Sequence, residues 1–314
     1  MTRLVIAVAS AGLVAPVVTA VQERPVFRSR TSFVAVDVSV RAGNRPVGGL
    51  TMADFVLSDN GVPQVVEIVD RAAMPIDLTL VVDVSGSTSG RLEQYRSSVR
   101  EIAALLRSED QLRVIGFSDQ VVEVLPLQST ASPPPVARLQ TGRMTALNDA
   151  LIAALVRAVG LDRRHLIVAF TDGMDTFSVV DTAKVVEVAR RADAVLHLAI
   201  SNPSSGAGPP IPPGGIVSVP RVTVTNARVG FQAEVDAMRL LESAATATGG
   251  QRLSTGFGGT LVGAFERAFE DFRSSYVLRY RPTGVPLEGW HDIDVAVPRS
   301  KSYRIRARSG YFGG

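Results

Sequence analysis

Asp83-Val84-Ser85-Gly86-Ser87 gathers one carboxylate and two hydroxyls directly behind the apolar run Ile76-Asp77-Leu78-Thr79-Leu80-Val81-Val82. Two later segments carry matching chemistry. Thr145 follows the turn Gly142-Arg143-Met144, and Asp172 closes the run Leu166-Ile167-Val168-Ala169-Phe170-Thr171. Hard cations such as Mg²⁺ take oxygen ligands in a tight octahedron. Asp83, Ser85, Ser87, Thr145 and Asp172 are therefore the candidate donors of a metal site. Read by itself, Asp83 to Ser87 is equally a Ser-rich turn with an ordinary helix cap. Thr145 and Asp172, each at the end of its own segment, weigh against that reading.

The elements that must position these groups follow from hydrophobic period. From Ile76 to about Ser274 strands and helices alternate. Strands are expected at Leu78–Val84, Leu112–Phe117, Val121–Leu125, Leu166–Phe170 and Val195–Ile200. Helices are expected at Leu92–Leu106, Ala146–Val159, Ala183–Arg191, Ala233–Thr248 and Leu261–Ser274. This alternation predicts an α/β fold with a doubly wound, mostly parallel sheet. Only a Ser-Asp-Gln turn separates Phe117 from Val121, so Val121–Leu125 is expected to be an antiparallel edge strand. The first and fourth strands adjoin where the strand order reverses, and ligands of such sheets bind outside the carboxyl ends at that point.

On those five residues the segment Ile76–Ser274 resembles the von Willebrand factor type A domain, a Rossmann-like fold with a metal-ion-dependent adhesion site. The family pattern is D-x-S-x-S, a separate Thr in a later loop and an Asp closing the fourth strand. The resemblance implies that Ser85, Ser87 and Thr145 hold the ion directly or through one water. It implies that Asp83 and Asp172 act largely through water. It also implies Mg²⁺ as the cofactor, with Mn²⁺ or Ca²⁺ as alternatives. Such a donor set leaves the ion electrophilic, and the partner implied is a protein ligand that presents an Asp or Glu to it. The flanking segments Gly49-Leu50-Thr51-Met52-Ala53-Asp54-Phe55, Tyr276-Val277-Leu278-Arg279-Tyr280 and Gly310-Tyr311-Phe312 resemble those of a group of bacterial exported proteins related to this domain. Asp175 reads as a solvated loop carboxylate, with added negative charge near the site as the alternative.

The flanks carry β patterning. Val34, Val36, Val38 and Val40 alternate with polar or small residues, the period-two mark of a half-buried strand. Gly43-Asn44-Arg45-Pro46 reads as a turn. Leu50–Phe55 and the segments around Asn60-Gly61 read as short strands, and Gln64–Val69 as the next one. The tail adds strands at Tyr276–Tyr280, His291–Val297 and Tyr303–Ala307. The simplest architecture is an α/β domain at 76–274 flanked by a small β domain drawn from both termini, residues 21–75 and 275–314. Two unrelated β appendages give the same pattern. Residues 202–232, rich in Pro, Gly and Ser, read as an inserted surface loop, with a small hairpin at Ile216–Val224. Arg304, Arg306 and Arg308 alternate with Tyr303, Ile305 and Ala307 and read as a solvated, charged face.

The 314 residues carry a net charge of +3, too little to argue for nucleic acid, and no cysteine, which excludes disulfides and thiolate chemistry. Arg3, the apolar stretch Leu4–Val18 and the small residues Val18-Thr19-Ala20 read as a cleaved export signal at residues 1–20. The expected location is then periplasmic or secreted, with no membrane span once the signal is removed. A hydrolase at the same site is the catalytic alternative. No general base is evident for it, since His165, His197 and His291 read as structural and no phosphate-binding loop motif occurs. An envelope module with a vestigial site is the structural alternative. Binding is the reading adopted, and no enzyme activity is expected.

Overall fold

A computed structural model describes residues 33–69, 74–130, 136, 138–158, 160, 162–171, 175–200, 224–254 and 260–313; the side chains of residues 69, 87, 89, 224–231 and 254 are outside that description. The expected export signal, the hairpin apart from Val224, and Asp172 lie outside the described residues. In chain order the strands are β1 (Val34–Ala42), β2 (Arg45–Pro46), β3 (Val56–Asp59), β4 (Val62–Gln64), β5 (Val66–Val69), β6 (Ile76–Asp83), β7 (Gln111–Phe117), β8 (Val121–Ser129), β9 (Arg164–Thr171), β10 (Val195–Ile200), β11 (Arg252–Ser254), β12 (Tyr276–Tyr280), β13 (Gly289–Ala296), β14 (Tyr303–Ala307) and β15 (Gly310–Gly313). The helices are α1 (Leu92–Leu105), α2 (Leu147–Leu155), α3 (Thr182–Arg191), α4 (Val224–Ala247) and α5 (Leu261–Ser274).

The central sheet has the order β11-β10-β9-β6-β7-β8. All its pairs are parallel except β7 with β8, which is antiparallel, as the three-residue turn demands. All eight residues of β6 are buried, because helices cover both faces. Leu78, Leu80 and Val82 pack under α1 and α5 with Tyr95, Val99, Phe265 and Phe269. Val81 points the other way, into a core with Leu147, Leu151, Val185 and Leu241 from α2, α3 and α4. Such two-sided burial gives a continuous apolar run in place of alternation. The strand order reverses between β6 and β9, so the carboxyl ends of those two strands flank one crevice.

Strands from before and after the α/β segment pair with one another. One small sheet has the order β14-β1-β12-β5, with β2 on β1, and another runs β15-β13-β3-β4. In the register of β1, Val36 faces Leu278 and Val38 faces Tyr276. These side chains form a third core with Phe55, Leu57 and Ile293. The β3–β4 hairpin turns at Asn60-Gly61, with φ of 48° and 77°. Two-residue hairpins of this hand require positive φ at both positions.

Two charged clusters join the small sheet of β1 and β14 to the α/β core. On α5 the buried Asp271 carboxylate accepts from Ser39 Oγ at 2.8 Å and Arg41 at 3.2 Å, both on β1, and from Arg306 on β14. Arg164, at the start of β9, donates through Nε to Asp37 of β1 at 2.8 Å and through Nη2 to Ser275 Oγ at 2.6 Å and the Phe272 carbonyl at 2.9 Å. Its guanidinium also lies 3.9 Å over the Phe272 ring.

Several expectations are corrected. Leu50–Phe55 is not a strand. Thr51 and Asp54 close a capped 3₁₀ turn at Met52–Asp54, the Asp54 carboxylate accepting from Thr51 N at 2.8 Å and Thr51 Oγ1 at 3.0 Å. Gln64 belongs to β4 and a new strand begins at Val66, the break falling at the exposed Val65. Residues 224–232 are helix and not inserted loop. The proline-rich composition ends at Pro220, and nothing after it forbids helical φ. Helix α2 ends at Leu155, short of Val159. Arg306 and Arg308 are not a solvated face. Arg306 reaches Asp271, while Arg308 donates to the carbonyls of Gly310 at 2.8 Å and Ala192 at 3.2 Å. Arg304 alone of the three is exposed.

His165 and His197 are both buried in the central sheet, His165 against Thr79 Oγ1 at 2.9 Å and His197 with Nε2 3.9 Å from Asp271. Burial, aided by Arg113, lowers His165 from 6.5 to about 4. Burial also lowers His197 to about 4, outweighing the opposing pull of Asp271. Both are therefore neutral when folded and charged when unfolded below pH 6.5. The unfolded chain binds the extra protons, so stability is full above that pH and falls as pH drops from 6.5 toward 4. Between about pH 6.5 and about pH 4.5 the loss is about 2 kcal/mol per histidine. Urea unfolding across that range checks it, and replacing both histidines with glutamine flattens the profile.

Candidate metal site at the carboxyl ends of β6 and β9

Asp83 ends β6 and is fully buried. A buried carboxylate must be matched by donors. Its Oδ1 accepts from the Ser85 backbone N–H at 2.9 Å, which bends the chain sharply out of the strand, and its Oδ2 accepts from Thr171 Oγ1 at 2.9 Å. Thr171 is the last residue of β9, so the carboxylate bridges the two strands at the reversal. The chain then winds into the 3₁₀ turn Gly86–Arg91. Buried Thr88 fastens this turn through Oγ1, which donates to the carbonyls of Asp83 at 3.0 Å and Ser85 at 2.9 Å.

The segment bearing Thr145 is laid against this turn. Gly142 N–H donates to the Val84 carbonyl at 3.0 Å, and Ala146 N–H donates to the Ser118 carbonyl at 2.9 Å. Gly142 packs so closely on Ser118 that a Cβ there would lie 2.3 Å from Ser118 Oγ. A Cβ on Gly86 would lie 3.3 Å from the Arg143 carbonyl. The Asp119 carboxylate accepts from the backbone N–H groups of Arg143 and Met144. Asp83 and Ser85 thus stand at the end of β6, and the segment carrying the buried Thr145 is hydrogen-bonded to Val84 and Ser118 at the ends of β6 and β7. Ser87 lies within the 3₁₀ turn, but its side chain and the whole of Asp172 are outside the described residues.

Asp175 is not a solvated carboxylate. Helix α2 begins without a side-chain cap of its own at Ala146. The loop after β9 supplies one: Asp175 Oδ2 accepts from Asn148 N–H at 2.8 Å, and Ser178 Oγ accepts from Asp149 N–H at 3.1 Å. In return, Asp149 accepts from Val179 N–H at 3.0 Å and Val180 N–H at 3.1 Å. Thr145 sits inside the same network, its carbonyl accepting from Thr176 N–H at 2.9 Å and Phe177 N–H at 3.1 Å, and its own N–H donating to Thr176 Oγ1 at 3.0 Å.

Residues 78–174 match the von Willebrand factor type A domain family. That span runs from β6 to the loop after β9 and includes the whole candidate donor set. No curated protein matches the chain. Among solved structures, the von Willebrand factor type A protein of Catenulispora acidiphila is 10% identical, with a TM-score of 0.44, covering 91% of this chain and 75% of that one. The conserved hypothetical protein BatB of Bacteroides thetaiotaomicron is 14% identical at TM-score 0.41, covering 63% and 98%. Proximal thread matrix protein 1 of the mussel byssus is 18% identical at TM-score 0.37 over 43% of this chain, which spans only 38% of the mussel protein.

Sequence reasoning missed Thr171, Thr88, Asp119, Asp149, Thr176 and Ser178. The signal for Thr171 is its place directly before Asp172; the signal for Asp119 is its place in the tight turn after β7. Asp175→Ala removes the acceptor for the first turn of α2. Unfolding in urea is expected to show a loss of about 1–2 kcal/mol, the usual size of a lost cap.

Proposed function

We propose that the protein is an exported module that binds a divalent cation at Asp83, Ser85, Ser87, Thr145 and Asp172 and, through it, a carboxylate of a protein ligand. Mg²⁺ is the cation proposed, with Mn²⁺ or Ca²⁺ as alternatives. One observation supports the reading: the fully buried Asp83 carboxylate ends β6 where the strand order of the sheet reverses, held there by Ser85 N–H and Thr171 Oγ1. Those residues fit a hard cation, since every donor is oxygen. When bound, the ion supplies positive charge and a position for an outside oxygen. The chain's own part is orientation. Ser85 N–H and Thr171 Oγ1 fix the Asp83 carboxylate, and the Thr88 hydroxyl fixes the turn that carries Ser85 and Ser87.

Binding is favoured over hydrolysis because the three histidines are committed elsewhere. His165 bonds Thr79, His197 lies against Asp271, and His291 Nδ1 bonds Asp59 at 2.8 Å within the small sheets. Export rests on the sequence of residues 1–20. Among the described residues no helix is long and apolar enough to cross a membrane.

Titration calorimetry with Mg²⁺ or Mn²⁺ tests the site. Asp83→Ala and Thr145→Val are each expected to weaken binding by about tenfold to a hundredfold. Circular dichroism identifies any variant that fails to fold. Equal binding by wild type and both folded variants would overturn the assignment.

A further inference from the structure

Buried polar atoms of folded chains almost always find a partner. Among the described residues, His197 Nδ1, His197 Nε2 and Arg306 Nε are buried with no hydrogen-bond partner. Both side chains stand around one carboxylate, that of Asp271 on α5. Its Oδ2 accepts from Arg306 Nη2 and lies 3.9 Å from His197 Nε2. Its Oδ1 accepts from Ser39 Oγ at 2.8 Å and from Arg41 Nη1 at 3.2 Å. One carboxylate therefore serves two arginines, and a fully buried imidazole stands beside the oxygen that holds Arg306.

Few charges face His197. Helix α5 presents Asp271 and β14 presents Arg306, with Arg41 of β1 on the far oxygen of the carboxylate. On one side β9 places the apolar Val168 in register with His197, and on β11 Arg252 is paired with Glu242. A proton on His197 would add another positive charge at the oxygen Arg306 occupies, in a place where little water screens it. Strand β14 is free to respond. It is the edge strand of its sheet and pairs only with β1 among the described strands, so it can leave without breaking a second ladder.

We propose that the contact of β14 with α5 is an acid-sensitive latch: a proton on His197 competes with Arg306 for Asp271 Oδ2 and releases β14 from the α/β core. The latch is closed while His197 is neutral. Burial lowers His197 from 6.5 to about 4 in the closed form, the pull of Asp271 opposing this and the charge of Arg306 adding to it. Once β14 leaves, water reaches the imidazole and its ordinary value returns. The open form then binds a proton that the closed form refuses. Closure is strongest above pH 6.5, and the closed-to-open ratio falls by up to about tenfold per pH unit as pH drops from 6.5 toward 4.

Hydrogen exchange of the whole chain, read by mass spectrometry from about pH 7 to about pH 4.5 and corrected for the intrinsic rate, tests the latch. Protection of β14 is expected to fall by up to about tenfold per pH unit while β6 and β9 stay more protected at every pH. His197→Gln, which cannot charge, is expected to flatten the β14 profile, and His165→Gln to leave it as it is. Arg306→Gln removes the competitor, so β14 should be less protected at neutral pH and its profile shallower. A β14 profile that is flat in the wild-type chain, or that coincides with those of β6 and β9, overturns the latch. So does an unchanged slope in folded His197→Gln. Should that variant fail to fold, the wild-type chain decides, because its three histidines give few imidazole signals by NMR. His197 gaining its proton in step with the loss of β14 protection supports the latch, and His197 charged while β14 stays protected overturns it.

Discussion

A carboxylate buried at the end of a central strand is the constraint on which the site depends. Asp83 cannot sit there without donors on both oxygens. One comes from its own chain, Ser85 N–H, which forces the strand to stop and turn. The other, Thr171 Oγ1, comes from the strand next door, which requires β9 to lie beside β6 and to end level with it. The two bonds therefore tie local turn geometry to sheet order. They also leave Ser85 and the turn after it at the mouth of the crevice, where the segment around Thr145 closes in from Ser118 and Val84.

The small sheets answer a different need. Helix α5 covers one face of the central sheet and carries a buried acidic residue, Asp271, between that sheet's His197 and the strand β1. Left unpaired in that buried position the charge would be costly. β1 and β14 supply Ser39, Arg41 and Arg306 to it, while Arg164 binds Asp37 from the opposite direction. These contacts make the flanking strands part of the environment of the α/β core and not a loose appendage to it.

The central sheet was largely legible. Runs such as Leu166–Thr171 are apolar throughout because both faces are covered, and the short gap before Val121 could only be a hairpin. Ends were less legible. Thr51 and Asp54 formed a cap that outweighed the apolar pattern of Leu50–Phe55, and α4 extended back to Val224 once prolines ceased. Alternation tells which residues share a face and not what that face meets: Arg306 on β14 meets Asp271 of α5, and Arg308 just beyond the strand meets the Ala192 carbonyl after α3. The candidate donors were legible as oxygen-bearing residues at strand ends. The hydrogen bonds that fix them were not, since Thr171 reaches Asp83 from another strand and Asp175 and Ser178 cap a helix from another loop.

The reciprocal capping between α2 and the loop after β9 makes those two pieces a single inheritable cassette. Asp149 serves the loop, and Asp175 and Ser178 serve the helix. A change that suits one piece alone leaves backbone groups of the other unmatched. A graft of either piece into another protein would therefore have to move both at once, the loop tip varying freely only at side chains such as Val179, whose backbone alone enters the network.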